Sequence, residues 1–86
     1  MVADELDWSS LLSTLGYDAL GPIWGVDTVE LRALPEAEAR SILRYSIELD
    51  HRGGLAAQTR AVASMPAAER LARLRRASAE RDSDAD

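Results

Sequence analysis

Glycine and proline cut this chain into short lengths, at Gly16, Gly21-Pro22, Gly25, Pro35, Gly53-Gly54 and Pro66. Between the cuts, apolar residues recur at helical intervals, and no stretch alternates as a half-buried strand must. The combination leaves one class open, an all-α small helical bundle of four to five helices. At 86 residues the chain makes a single domain. It buries only about 60% of its unfolded surface, so every helix depends on a neighbour.

The spacing predicts a first helix from Asp4 to Leu15, with Trp8, Leu11, Leu12 and Leu15 on one face and Gly16 as a left-handed cap. From Tyr17 to Val26, Leu20, Ile23 and Trp24 stand among Gly21, Pro22 and Gly25, which reads as an irregular apolar connection folded back onto the helices. Asp27-Thr28-Val29-Glu30 is an acidic capping box: Asp27 accepts a backbone N–H near Glu30, and Glu30 reaches back. The short helix it opens ends near Ala33, because Pro35 disfavours helical geometry at Leu34.

Pro35 also suits the first position of the longest helix, which should run to about Arg52 and stop at Gly53-Gly54. Ala39, Ile42, Leu43, Ser46, Ile47 and Leu49 cover roughly 160° of its circumference, against roughly 100° for a surface helix, which makes it the centre of the core. Glu36–Arg40 and Arg44–Glu48 form i, i+4 pairs on its solvated side. Leu55 to Ser64 reads as an alanine-rich helix with Leu55, Thr59 and Val62 inward. Met65-Pro66 then opens a last helix to about Glu80. The domain is therefore 4–80, with its core in 4–54, a helical arm in 55–80, and a frayed acidic tail in 81–86.

Several chemistries are excluded by residue type. Without cysteine there is no disulfide framework, thiolate metal site or thiol nucleophile. His51 is the sole histidine and has no second His or Cys at ligand spacing; at a helix end it reads as a cation facing the dipole. The glycines lack the spacing and the Lys-Ser/Thr of a phosphate loop. The expectation is a non-enzymatic chain with no metal, cofactor or small-molecule substrate. No run approaches the roughly 20 apolar residues of a membrane span, and Met1-Val2-Ala3-Asp4-Glu5 is acidic where a secretory leader is basic. The expected location is cytoplasmic.

The functional expectation comes from imbalance along the chain. Of the residues Leu, Ile, Val, Met, Trp and Tyr from Leu6 onward, 18 fall in 6–54 and five in 55–86. Charge divides similarly: residues 1–50 carry −7, residues 51–81 carry +5, and residues 82–86 carry −3. All ten basic residues are arginine, which reads as the codon bias of a GC-rich genome. The last helix thus has a narrow stripe that starts at Ala67; its partner-facing part is Leu71, Leu74 and Ser78, flanked by Arg70, Arg75 and Arg81. Two leucines, worth roughly 1.5–3 kcal/mol each if fully buried, scarcely offset the ordering of a helix this long.

Those six residues are the candidate partner-binding site. They have three possible destinations: the acidic first half of the same chain, a second copy, or another protein's groove. Asp50, inside the apolar arc of the long helix, is either freed at the helix end or paired internally with Arg70 or Arg73. Trp8, Tyr17 and Trp24 read as core. Nucleic acid is a weaker partner for the arginines, because Glu69 and Glu80 dilute them and the chain carries a net −5.

Leu34-Pro35-Glu36-Ala37-Glu38-Ala39-Arg40, followed by an amphipathic helix, resembles the start of small bacterial antitoxin proteins. Asp7-Trp8 with Leu11-Leu12, then Leu34-Pro35-Glu36-Ala37-Glu38, resembles small tail-assembly chaperones of phage and phage-derived elements. The first resemblance implies a nucleic-acid-linked regulator and the second an assembly chaperone. Neither carries a site residue over. The leading expectation is a protein–protein interaction module, an accessory subunit, adaptor or small regulator that binds a partner or itself through the arginine-rich helix.

Overall fold

The computed structural model describes the backbone of residues 8–85 and the side chains of residues 10–81. These residues form five helices and no strand. Helix α1 covers residues 8–24 in three continuous stretches, α-helical Trp8–Leu11, π-helical Leu12–Gly16 and α-helical Tyr17–Trp24. It is followed by α2 (Thr28–Ala33), α3 (Glu36–His51), α4 (Leu55–Val62) and α5 (Ala67–Ala85). The predicted start at Asp4, the side chain of Trp8 and the acidic side chains after Arg81 lie outside the described residues.

Helix α1 differs most from its sequence reading. Gly16 is not a left-handed cap, since its φ is −57° and the helix passes through it. Its missing side chain serves close packing instead: a Cβ there would lie 2.8 Å from Leu12 Cδ1 and 3.5 Å from Leu43 Cδ2. The π-turn is closed by the Tyr17 N–H on the Leu12 carbonyl. Such a turn rotates each residue by less than the roughly 100° of an α-helix. Leu15 accordingly drops out of the predicted stripe and is 60% exposed. The buried line becomes Leu12, Gly16, Leu20 and Trp24.

The segment after Tyr17 is likewise helix rather than irregular connection. Pro22 lies inside it, where its ring removes the N–H that would reach the Asp18 carbonyl. Leu20 and Trp24, buried on either side, hold the segment helical despite that loss. The left-handed cap falls at Gly25, with φ 69°. There the N–H groups of Gly25 and Val26 both donate to the Gly21 carbonyl, at 2.8 and 3.0 Å.

Downstream, the turn chemistry matches the reading more closely. Asp27 Oδ1 accepts the Val29 N–H at 2.8 Å and caps α2, the return bond expected from Glu30 is not formed, and Leu34 is extended before Pro35. Helix α3 ends in a Schellman arrangement, with the Gly54 N–H on the Leu49 carbonyl at 2.9 Å and the Gly53 N–H on the Asp50 carbonyl at 3.1 Å. Ala39, Ile42, Leu43 and Ser46 of α3 are buried, with Ile47 and Leu49 partly so.

Asp50 corrects the wheel. It is exposed in the last turn of α3 and pairs with no arginine among the described residues. The apolar arc has lost its opposing wall there, because the cap at Gly53 turns the chain away. His51 is exposed in the same turn.

Leu12, Leu20, Leu31 and Ile42 are the fully buried centre of the core. Val62 and Leu74 belong to the same cluster, so the core does not stop at residue 54. Helix α5 lies along α3 and continues to Ala85, beyond the end expected near Glu80. The radius of gyration, 12.3 Å, is close to the roughly 12 Å of a folded chain of this length, so α5 does not project as a free arm. None of the described helices is long and apolar enough to cross a membrane.

Candidate functional site

The six residues put forward for a partner are engaged within the chain. Leu74 and Ser78 are each 3% exposed against the core, Leu71 packs half-buried beside them, and the Ser78 hydroxyl donates to the Arg75 carbonyl at 3.1 Å. Arg75 Nη2 donates to both carboxylate oxygens of Glu38, at 2.9 and 3.1 Å. Arg81 pairs with Glu48. These contacts lie on the first of the three destinations open to the arm, the acidic face of its own chain. Glu48, read from sequence as half of a pair with Arg44, receives Arg81 across the helix interface.

Arg70 plays a different part. Its Nε donates to the Val62 carbonyl and its Nη2 to the Ala63 carbonyl, both at 3.2 Å. Its Nη1 donates to the Gly25 carbonyl. Gly25 closes α1, while Val62 and Ala63 close α4. One guanidinium therefore satisfies carbonyls at two helix C-termini, where a cation is also favoured by the dipoles. The end of α1 is fixed independently by Trp24, whose Nε1 donates to Ser46 Oγ at 2.9 Å. Ser46 in turn donates to the Ile42 carbonyl at 2.8 Å. The Trp24 ring stacks on Tyr45, centroids 6.1 Å apart.

Between the two helix ends that Arg70 joins lies an open cleft of about 460 Å³. Pro22 and Ile23 of α1 form one wall and Ala56 and Ala63 the other, with Arg60 and Arg70 among the lining side chains. Ile23 is there because Trp24 is buried: neighbours on a helix point roughly 100° apart, so burying one turns the other to the rim. Among the described residues, Leu15, Ile23 and Val29 are the exposed large apolar ones. Single exposed apolar side chains are ordinary, but Ile23 is the one of the three that lines this concavity. A small cavity of about 50 Å³ adjoins it, sharing Trp24 and Arg70 and adding Gln58 and Arg73.

The electrostatics of this region are one-sided. Arg60, Arg70 and Arg73 pair with no carboxylate among the described residues. Four acids elsewhere are engaged: Asp18 with Arg32 at 3.4 Å, Asp27 with the α2 cap, and Glu38 and Glu48 with α5. Arg32 also lies over the Tyr17 ring, 4.8 Å from its centroid. The one hydroxyl in the cleft, on Thr59, donates to the Ala56 carbonyl at 3.0 Å. Among the described residues no carboxylate or imidazole lines the cleft beside it, so none of them is placed as a base to activate it. Among the described residues no group of three or more His, Cys, Asp or Glu is placed to hold a metal ion.

Ile23 and Arg60 were not singled out by the sequence. The available signal was the adjacency of Ile23 and Trp24, two large apolar residues that one helix face cannot both bury. No protein-family model matches this chain, and comparisons with curated proteins and with solved structures find no match.

Proposed function

We propose that this chain is a non-enzymatic protein–protein interaction module, an accessory subunit, adaptor or small regulator, that receives its partner in the cleft between α1 and α4. The arginine-rich helix acts in this reading as a strut. Its inner face is spent on the core, and Arg70 sets the spacing of the two cleft walls. The observation that carries the reading is the position of Ile23, an aliphatic side chain 41% exposed at the rim of an open concavity rather than on a convex face. Apolar residues presented in that way mark binding surfaces more often than scattered ones do.

A photo-crosslinking amino acid at position 23, with matched probes at positions 15 and 29, tests the reading in the cells that make the protein. A discrete protein adduct at 23, absent at 15 and 29, is the expected result. Adducts at 15 or 29 without one at 23 would move the interface elsewhere and defeat the cleft assignment.

A further inference from the structure

We propose that the cleft recognises an acidic, apolar segment of a partner protein, with a carboxylate side chain set against Arg60 and Arg70 and a neighbouring aliphatic side chain on Pro22 and Ile23. The inference rests on the interaction-module reading and supplies the chemistry of the partner. Arg70 spends three of its five N–H donors on carbonyls, leaving two. Arg60 is exposed and has no partner among the described residues. Arg73 extends the same positive field along α5. A chain of net −5 therefore keeps a cationic hollow that no carboxylate of the described residues lines, and guanidinium groups bind carboxylates in a bidentate fork. The apolar wall adds contact area beside the charge, the composition of a peptide hot spot with a polar edge.

The same observations weigh against two other occupants. A second copy meeting this patch about a two-fold axis would set Arg60 and Arg73 against their own counterparts, a like-charge contact in a self-complementary interface. A nucleic-acid strand would need aromatic faces for its bases, yet Trp24 is buried and stacked on Tyr45, and the cleft walls are proline, isoleucine and alanine.

The experiment uses the full chain and fluorescein-labelled short peptides of Glu, Asp, Leu and Ala, alongside isosteres in which Gln and Asn replace the acids. Binding is read by anisotropy and by amide chemical shifts. The acidic peptide should bind, shift the amides of residues 23–25 and 56–63 that border the cleft, and exceed its isostere by about tenfold or more. Arg60→Glu should weaken the acidic peptide by a similar factor and favour a lysine-bearing counterpart, while leaving the fold intact because Arg60 holds nothing in place. Ile23→Ser should weaken acidic peptide and isostere alike.

Equal binding of the isostere would overturn the acidic specificity and leave the interaction-module reading standing. If no peptide of either kind moves those amides, both fall. An oligonucleotide that displaces the acidic peptide in an Arg60-dependent manner, or sedimentation as a dimer that shields residues 22–25, would replace the proposed partner with nucleic acid or with a second copy.

Discussion

Helices α3 and α5 lie against each other and are held by different means. Helix α3 sinks a continuous face, Ala39, Ile42, Leu43 and Ser46, into the core and would be recognised as central in any amphipathic plot. Helix α5 buries Leu74 and Ser78 fully and adds arginines that reach outward from its flanks, to Glu38, to Glu48, and to three carbonyls at the ends of α1 and α4. A narrow apolar stripe is thus enough to seat a helix when a flanking guanidinium such as that of Arg70 ends in hydrogen bonds to carbonyls, each worth about 1.5–3 kcal/mol where water is kept away and less where it is not. The hydrophobic count along a chain underestimates docking where the long stems of arginine do part of the packing.

The contrast breaks most sharply at Arg70. Arg70→Met keeps a flexible apolar stem and removes the guanidinium, so the carbonyls of Gly25, Val62 and Ala63 lose this donor together. Chemical denaturation should show a loss of about 3 kcal/mol, and Arg70→Lys should recover less than half of it, because one ammonium on a straight stem does not span three acceptors. A loss below about 1 kcal/mol would mean the three bonds are incidental and α5 is seated by its leucines alone.

Leu74→Ala sharpens the other half of the comparison. The residue is as buried as the core of α3, so truncation should cost about 2–3 kcal/mol. Hydrogen exchange should show the loss of protection concentrated in α5 while the middle of α3 keeps its slow amides. Uniform loss across both helices would show them to be one cooperative unit.

A smaller effect separates shape from polarity beneath the cleft. Ser46→Ala leaves the buried Trp24 Nε1 without its acceptor and should cost about 1–2 kcal/mol. With Trp24→Phe already made, the same change should cost far less, since both variants remove one bond. Additive losses in the double variant would exclude the Trp24–Ser46 bond as the source.

How far the sequence discloses this arrangement depends on how local each determinant is. The Asp27 cap, the breaks at Pro35 and Pro66, the end of α3 at Gly53-Gly54 and the buried arc of α3 are fixed by neighbours within a turn or two, and each is readable from residue type and spacing. Gly16 is ambiguous in the sequence because a glycine serves a left-handed cap and a close approach equally well, and only the proximity of Leu43 on α3 decides between them. Leu15 leaves the predicted stripe for a different reason: a 3.6-residue wheel cannot foresee a π-turn that rotates it. The arm's composition was read correctly as poor in apolar residues. Docking on the acidic first half of the chain is one of the three destinations the sequence leaves open, but the individual contacts are not legible, because Arg70 reaches across 45 residues to Gly25 and Arg75 across 37 to Glu38. The cleft was invisible because it exists only where the ends of α1 and α4 meet.

The pair between Arg75 and Glu38 is the most conspicuous contact between α5 and α3 and is expected to matter least. Its two side chains are 46% and 39% exposed, so water and salt screen the charges, and exposed pairs of this kind contribute about 0–1 kcal/mol even with good geometry. Glu38→Gln should therefore lower stability by no more than about 0.5 kcal/mol, with a difference that shrinks further as ionic strength rises. The amide can still accept one of the hydrogen bonds, so the comparison isolates charge. A loss above about 2 kcal/mol would invert the account of α5, making the surface ion pair its principal anchor and leaving Leu74 and the Arg70 carbonyl clamp as secondary contacts.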